Sequence, residues 1–413
     1  MKKLLCRAVF VLMLTPAIGI AQSDDAGMIA YKAGDYVTAW HELTKLAEQG
    51  DMVAQMNLGN MYAEGQGVPP GFAEEVSRTR LAAEQGEARA QYRLGFMYKY
   101  GIGATGDDVE AAKWYRLAAE QGNSSAQLDL GGMYTYGRGV PQDDAEALKW
   151  YRLAAEQGNL SAQSALSYKY ATGDHVPQDD VEALKWTRLA AEQGGSGAQV
   201  DLGDRYADGR GVPQDYAEAA KWYRQGAEQG QVEGQFSLGL MYLNGQGVPQ
   251  DDTQALKWFL LAAEQSRAGA QYFAGLMYAA GRGVPQDDAE ALKWYRLAAE
   301  AGVMDAQVTL GDIYRLGQGA PQDHAEALKW YLMAAEQGNA QAQLFVGVMS
   351  QDASESAKWT RLAADQGNAE AQLFLGTLYD SGSGVPQDDA EAVKWIRLAA
   401  KRKRCLRAVG ISA

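Results

Sequence analysis

The chain has 413 residues, a formal charge of −14, ten tryptophans and only two cysteines. Beyond its first twenty or so residues no apolar run is long enough to span a bilayer, which argues against a membrane-spanning body. Residues 1–21 hold three basic groups and 401–413 hold five, with no acids in either, so residues 22–400 carry −22; such a surface repels nucleic acid and anionic lipid and favours cationic partners.

Lys2, Lys3 and Arg7 flank an apolar stretch from Ala8 to Ile20, and Gly19 and Ala21 are small residues before Gln22. That pattern reads as a secretory signal peptide over 1–21, set apart from the fold, with a retained anchor as the alternative. Cys6 lies too early for lipid attachment, and cleavage leaves Cys405 alone, so the mature chain forms no internal disulfide. The protein is therefore expected to be exported, to a periplasm or outside the cell, and to stand on packing alone. Residues 22–34 are a lead-in.

From 35 to 400 the chain repeats. Trp114, Trp150, Trp186, Trp222, Trp258, Trp294 and Trp330 are each 36 residues apart, and DDAEALKWYRLAAEQG at Asp143–Gly158 returns almost unchanged from Asp287. A fixed period of this size marks stacked supersecondary units, not one enlarged core. Each unit opens with a helix A, such as Asn159–Tyr170, where Asn159 is an N-cap. In the first unit Leu58, Met61 and Tyr62 form one apolar face. A glycine recurs in helix A, at 59, 95, 131, 203, 239, 275, 311, 347 and 376, and costs about 1 kcal/mol against alanine. Its recurrence implies close approach of another helix.

The loop Tyr136–Asp143 follows, with Gly137 to end helix A, Gly139 to turn and Pro141 to delay the next helix. Asp143 then caps helix B, with Glu146 completing an acidic capping box. Ala147, Trp150, Tyr151, Ala154 and Ala155 make a broad buried stripe, while Glu146–Lys149 and Arg152–Glu156 are read as surface pairs. Neither helix can bury its stripe alone, so successive hairpins must stack. The fold expected is all-α, an α/α superhelical solenoid of about ten 36-residue helix-turn-helix repeats. Between Trp330 and Trp359 the spacing falls to 29, because the whole Gly-x-Gly-Val-Pro loop is missing after Ser350, and a tighter turn is expected there. After Ala400 the usual EQG gives way to KRKRCLRAVGISA, a basic tail over 401–413 read as a disordered or truncated end.

The strings AQYRLGFMYKYGIG (Ala90–Gly103), SLGLMYLNGQGVPQD (Ser237–Asp251) and DAEALKWYRLAAEQG (Asp144–Gly158) closely resemble the Sel-one-like repeat (SLR) family, a relative of the tetratricopeptide repeat. The resemblance covers about residues 35–400. It implies an α/α superhelix acting as a protein-binding scaffold. Some members pair a cysteine in each helix of a repeat, and this chain lacks those cysteines.

Candidate chemistry is thin. The acid pairs Asp107–Asp108, Asp143–Asp144, Asp179–Asp180, Asp251–Asp252, Asp287–Asp288 and Asp388–Asp389 recur where helix B starts, which is the place for caps and dipole compensation. They lack the alternating acids of a calcium loop. The Gly-x-Gly pairs follow helices and are not closed by Gly-Lys-Ser/Thr, so they are not phosphate loops. His41, His175 and His324 lie in distant repeats, His175 in a loop where the other repeats have glycine, and no zinc site is expected. Some relatives have been linked with β-lactam hydrolysis, which makes a secreted hydrolase or ligand-binding enzyme the rival reading. That chemistry needs Ser-x-x-Lys, and no serine here has lysine three residues on. No enzyme activity, cofactor or metal is expected.

The variable positions of helix A are more informative. Opposite the apolar face stand Asn57, Asn60 and Glu64, then Arg93, Phe96 and Tyr100, then Asp129, Gly132 and Tyr136, then Ala165, Tyr168 and Thr172, then Asp201, Asp204 and Asp208. In tetratricopeptide-like solenoids helix A lines the concave side, so the resemblance turns these residues toward a partner. Phe96, Tyr100, Tyr136 and Tyr168 would form an aromatic strip ending in an acidic step at Asp201, Asp204 and Asp208; the alternative is that the rings merely pack. The partner implied is a protein or peptide with apolar and basic anchors, bound by a monomer, with neither nucleic acid nor membrane insertion after cleavage.

Overall fold

The structure is a computed structural model that describes residues 26–48, 51, 53–54, 57–58, 61, 72–102 and 106–408. The signal-peptide reading of 1–21, Asn60 and Glu64 of the variable stripe, and residues 409–413 lie outside the described residues. Among the described residues there are twenty-one helices and no strand.

The chain divides into two compact units, residues 1–235 with 246–248, and residues 236–245 with 249–413. The first holds α1 (Ala26–Lys32), α2 (Tyr36–Glu48), α3 (Phe72–Glu84), α4 (Ala88–Tyr100), α5 (Asp108–Glu120) and α6 (Ser124–Tyr136). It continues with α7 (Asp144–Glu156), α8 (Leu160–Thr172), α9 (Asp180–Glu192), α10 (Ser196–Asp208) and α11 (Tyr216–Glu228). Helix α12 (Val232–Asn244) carries the boundary. The second unit holds α13 (Asp252–Glu264), α14 (Ala268–Ala280), α15 (Asp288–Glu300), α16 (Met304–Leu316) and α17 (His324–Glu336). It ends with α18 (Ala340–Met349), α19 (Ala353–Asp365), α20 (Ala369–Ser381) and α21 (Asp389–Ala408). From α3 onward odd helices are B and even helices are A, and each unit is a stack of such pairs.

The caps explain why the helices begin where they do. Asp143 accepts from the amides of Ala145 and Glu146, both at 3.0 Å, and Asp107, Asp179, Asp215, Asp287, Asp323 and Asp388 repeat the arrangement. Asn123, Asn159 and Asn339 each accept from the amide three residues on, at 2.9 Å. Each such cap is worth about 1 kcal/mol, and here it satisfies amides that a helix start otherwise leaves orphaned.

The helix A glycine works as a seat. An ideal Cβ on Gly95 would stand 2.7 Å from the Tyr115 ring, on Gly203 2.6 Å from Tyr223, and on Gly311 2.4 Å from Tyr331. Only a missing side chain lets the B-helix ring lie flat on the A helix, and those rings are buried at the centre of each pair. Trp150 joins Tyr115, Leu130 and Met133 in one buried cluster, which ties helix B of one repeat to the pair before it.

A second link joins successive repeats. Buried Gln127 donates to the carbonyl of Ala119 at 3.0 Å and accepts from Gln157 at 2.7 Å, and Gln91, Gln163 and Gln199 do the same with their equivalents. Each glutamine thus caps the end of one B helix and is held by the next. The sequence reading passed over it, although AQ in helix A and EQG after helix B recur together.

Two expectations change. Arg152 does not pair with Glu156 along its own helix; it reaches forward to the Tyr170 hydroxyl, as Arg188 does to Tyr206 at 3.2 Å and Arg296 to Tyr314 at 2.7 Å. The long guanidinium finds a fixed acceptor on the next helix A, where a carboxylate one turn away would hold it only loosely in water. Residues 401–408, expected to be disordered, continue α21 as helix. After α18 the turn is short, as the missing loop requires: Ser350 ends the helix and Asp352 caps α19 through the Glu355 amide at 2.9 Å.

Candidate partner-binding face

The seven residues singled out on the variable stripe fall on α4, α6, α8 and α10 of the first unit. The structure separates them into three kinds. Phe96 and Tyr100 are half-buried, with ring centres 4.5 Å apart, and Phe96 also packs on the cluster of Val76, Ala83, Leu94 and Met97. Tyr136 and Tyr168 are open, at 68% and 36% exposure. Among the described residues no ring contact joins either of them to the Phe96–Tyr100 pair, so the strip is not one continuous aromatic surface. Between them Gly132 leaves room, since a Cβ there would meet only the Tyr151 hydroxyl, at 3.6 Å.

The three aspartates are mostly engaged. Asp201 accepts from Thr187 at 2.8 Å, from Ser167 at 3.2 Å and from the Nε of Arg205 at 3.3 Å. Asp204 accepts from the Tyr223 hydroxyl at 2.6 Å; burial pushes its carboxyl up, against the pull of that hydrogen bond. Asp208 is exposed and pairs with Arg210 at 3.2 Å. The acidic step is therefore weaker than its three charges suggest. One carboxylate is balanced by a buried guanidinium and a second is partly withdrawn from water.

Beneath the stripe lies a polar layer that the sequence reading missed. Lys99 on α4 spans to Asp129 on α6 at 2.7 Å and sits 5.1 Å from the centre of the Tyr100 ring. Burial works against the Lys99 charge, but the Asp129 carboxylate outweighs it and raises the ammonium above its ordinary value. Two repeats further on the Ser167 and Thr187 hydroxyls are 2.5 Å apart, and Arg205, 1% exposed, reaches Thr187 through its Nε at 3.0 Å. The signal was a paired departure. Ser167 replaces the seat glycine at the same repeat where Thr187 replaces the ring, and Lys169 and Arg205 stand where Met97 and Met133 stand earlier.

Among the described residues no three His, Cys, Asp or Glu side chains converge as a metal set would. None of the described helices is long and apolar enough to cross a membrane.

The Sel1 repeat model matches ten segments: 53–73, 88–123, 124–159, 160–195, 196–231, 232–266, 268–303, 305–339, 341–368 and 369–403. Among solved structures, c5321, a protective antigen present in uropathogenic Escherichia coli strains and displaying an SLR fold, is 37% identical with a TM-score of 0.74. That match covers 90% of this chain and 84% of c5321. A Sel1 repeat protein from Oxalobacter formigenes is 34% identical with a TM-score of 0.59, over 73% of this chain and 94% of its own. No curated protein matches the chain. Proteins built of Sel1 repeats are typically protein-interaction scaffolds. The glycine seats, the capped B helices and the α/α stack of each unit thus have their place: the chain belongs to the Sel1 repeat family.

Proposed function

We propose that the protein is an exported, non-catalytic, monomeric scaffold that holds a protein or peptide on the A-helix face of its first unit. The observation that carries this reading is the pair of open tyrosines, Tyr136 and Tyr168, on neighbouring A helices with Gly132 beside them. A repeat protein has no packing need for a 68% exposed ring, and exposed aromatic anchors are the usual hot spots of interfaces. Phe96 and Tyr100 form the firm wall of the face, and Asp208 supplies its freest charge. The partner is a segment with apolar anchors, and its basic residues serve to steer more than to hold. Export rests on the basic–apolar–small order of residues 1–21.

A displayed peptide library selected on residues 22–413 tests this. Tyr136→Ala with Tyr168→Ala should weaken the selected binders by about 2 kcal/mol or more, with helicity unchanged by circular dichroism. Binders that hold the double variant at full strength would move the interaction surface elsewhere.

A further inference from the structure

Phe96, Gly132, Tyr168, Asp204 and Asp312 hold the same place in their A helices. At two of these places the chain supplies a partner for the B-helix tyrosine beneath: Asp204 accepts from the Tyr223 hydroxyl at 2.6 Å, and Asp312 from that of Tyr331 at 2.7 Å. Beneath Gly132 the tyrosine is Tyr151, and no side chain stands over it. A Cβ on Gly132 would meet only the Tyr151 hydroxyl, at 3.6 Å. That hydroxyl lies 3.4 Å from the Thr135 hydroxyl, which directs its own proton to the Gly131 carbonyl at 3.0 Å. A contact of that length holds little, which leaves the Tyr151 O–H without a strong acceptor.

A second group borders the gap. Asp129 comes three residues before Gly132 on α6, so the two are neighbours on one helix face. The Asp129 side chain is 8% exposed; one oxygen accepts from Lys99 at 2.7 Å, and the other is buried without a hydrogen bond. A buried oxygen in that state carries a desolvation cost that an incoming donor removes. Gly132 itself is part-exposed, and the open Tyr136 follows it by one turn on α6.

The notch thus offers an O–H on its floor and a bare carboxylate oxygen at its side. A carboxylate from a partner would satisfy Tyr151 but meet Asp129. An ammonium would satisfy Asp129 but meet Lys99, which already holds that carboxylate. A neutral amide answers both, since its oxygen accepts and its NH2 donates. We infer that the Gly132 notch is a subsite for the carboxamide of an asparagine or glutamine side chain, with its oxygen on the Tyr151 hydroxyl and its NH2 on Asp129. Rings stand at this place in the repeats on either side, Phe96 and Tyr168, so a main chain crossing them stays above the floor and a side chain must reach down. The identity of the occupant as part of a bound segment rests on the proposed function; the chemistry of the notch does not.

The notch can be tested without a partner, by building its ligand into the chain. Gly132→Asn puts a carboxamide over Tyr151, and Gly132→Asp puts there a carboxylate of the same size, as Asp204 follows Asp201 in α10. At pH 7 the asparagine variant should unfold at the higher urea concentration, and the difference should close when Asp129→Asn is added to both. An aspartate variant at least as stable as the asparagine variant would overturn the amide in favour of a carboxylate. Binders from a displayed peptide library, selected on the whole chain, test the use of the notch. They should carry Asn or Gln at one position and weaken about tenfold or more on Gly132→Asn, where the notch is filled. Changing that residue of the binder to Asp or Lys should cost as much on the natural chain. Binders that lack Asn and Gln, or that hold Gly132→Asn at full strength, would overturn the subsite; their loss on Tyr136→Ala with Tyr168→Ala would still leave the proposed face standing.

Discussion

Two neighbouring joints of the first unit have the same backbone plan and opposite interiors. At Gly131 the Tyr151 ring lies on a bare helix, 3.1 Å from where a Cβ would be, with the Lys169 ammonium 5.5 Å from the ring centre. One repeat later Ser167 faces Thr187, and the buried Arg205 side chain reaches the Thr187 hydroxyl at 3.0 Å. At these two joints the glycine accompanies the ring. Against Thr187 the glycine gives way to Ser167, whereas against Thr360 Gly347 is kept. The polar version has a cost: the Nη1 of Arg205 is buried without a hydrogen bond, and its nearest acid, Asp180, is 3.8 Å away. A buried guanidinium left incompletely paired stabilises less than the apolar contacts it replaces.

The comparison can be broken first with base. Burial pushes the Tyr151 hydroxyl up to about 12, with the Thr135 hydrogen bond opposing, and burial likewise raises Tyr115 well above the ordinary value. The unfolded chain ionises these groups near the ordinary tyrosine value, about 10. Each therefore stabilises the fold fully below about pH 10, and that contribution is lost as pH climbs toward 12, by about 2–3 kcal/mol for a two-unit displacement. Tyr151→Phe should shift the alkaline unfolding midpoint upward, followed by circular dichroism with tyrosinate absorbance. An unchanged midpoint would mean the ring seats do not govern base stability. The joint at Thr187 has no such ring and should contribute nothing to this transition.

A substitution that mixes the two chemistries gives the next effect. Thr187→Tyr brings a ring onto Ser167 and Arg205 and should cost about 1–3 kcal/mol from overpacking, read as a lower urea midpoint. Adding Ser167→Gly and Arg205→Met rebuilds the set of Gly95, Tyr115 and Met133, and should recover most of the loss. If Thr187→Tyr alone is as stable as the natural chain, something other than ring and glycine sets the helix separation.

The smallest effect lies in the second unit, where the glutamine link is interrupted. Ala301 stands where the other repeats place the glutamine that donates backward by thirty residues, and Gln271 Oε1 is buried without a partner. Ala301→Gln should restore the hydrogen bond and stabilise by about 1 kcal/mol in urea unfolding. No gain would show that the link is incidental to the stack.

Much of this was legible in advance, for a physical reason. Helix A begins directly after its expected cap, at Leu160 behind Asn159 and at Ala369 beyond the missing loop, because caps and glycines act within a few residues. What the sequence concealed is contact between repeats. Arg152 was assigned to Glu156 by its spacing on one helix, yet Tyr170 is nearer in space. Asp201 looked like a free surface charge because nothing in its own helix announces Thr187 and Ser167. Only a comparison of the repeats with one another reveals that Ser167, Thr187, Lys169 and Arg205 depart together.

The short turn after α18 bears on how such a chain can change. Seven residues are absent there, and the glutamine link shortens in step: Gln366 still donates to Gln343, at 2.8 Å, across twenty-three residues where its counterparts cross thirty. Gln343 still reaches the Ala335 carbonyl at 3.1 Å. The seam between repeats and the loop at its edge are thus independent parts. A loop can thus be trimmed at that edge while the seam keeps its register.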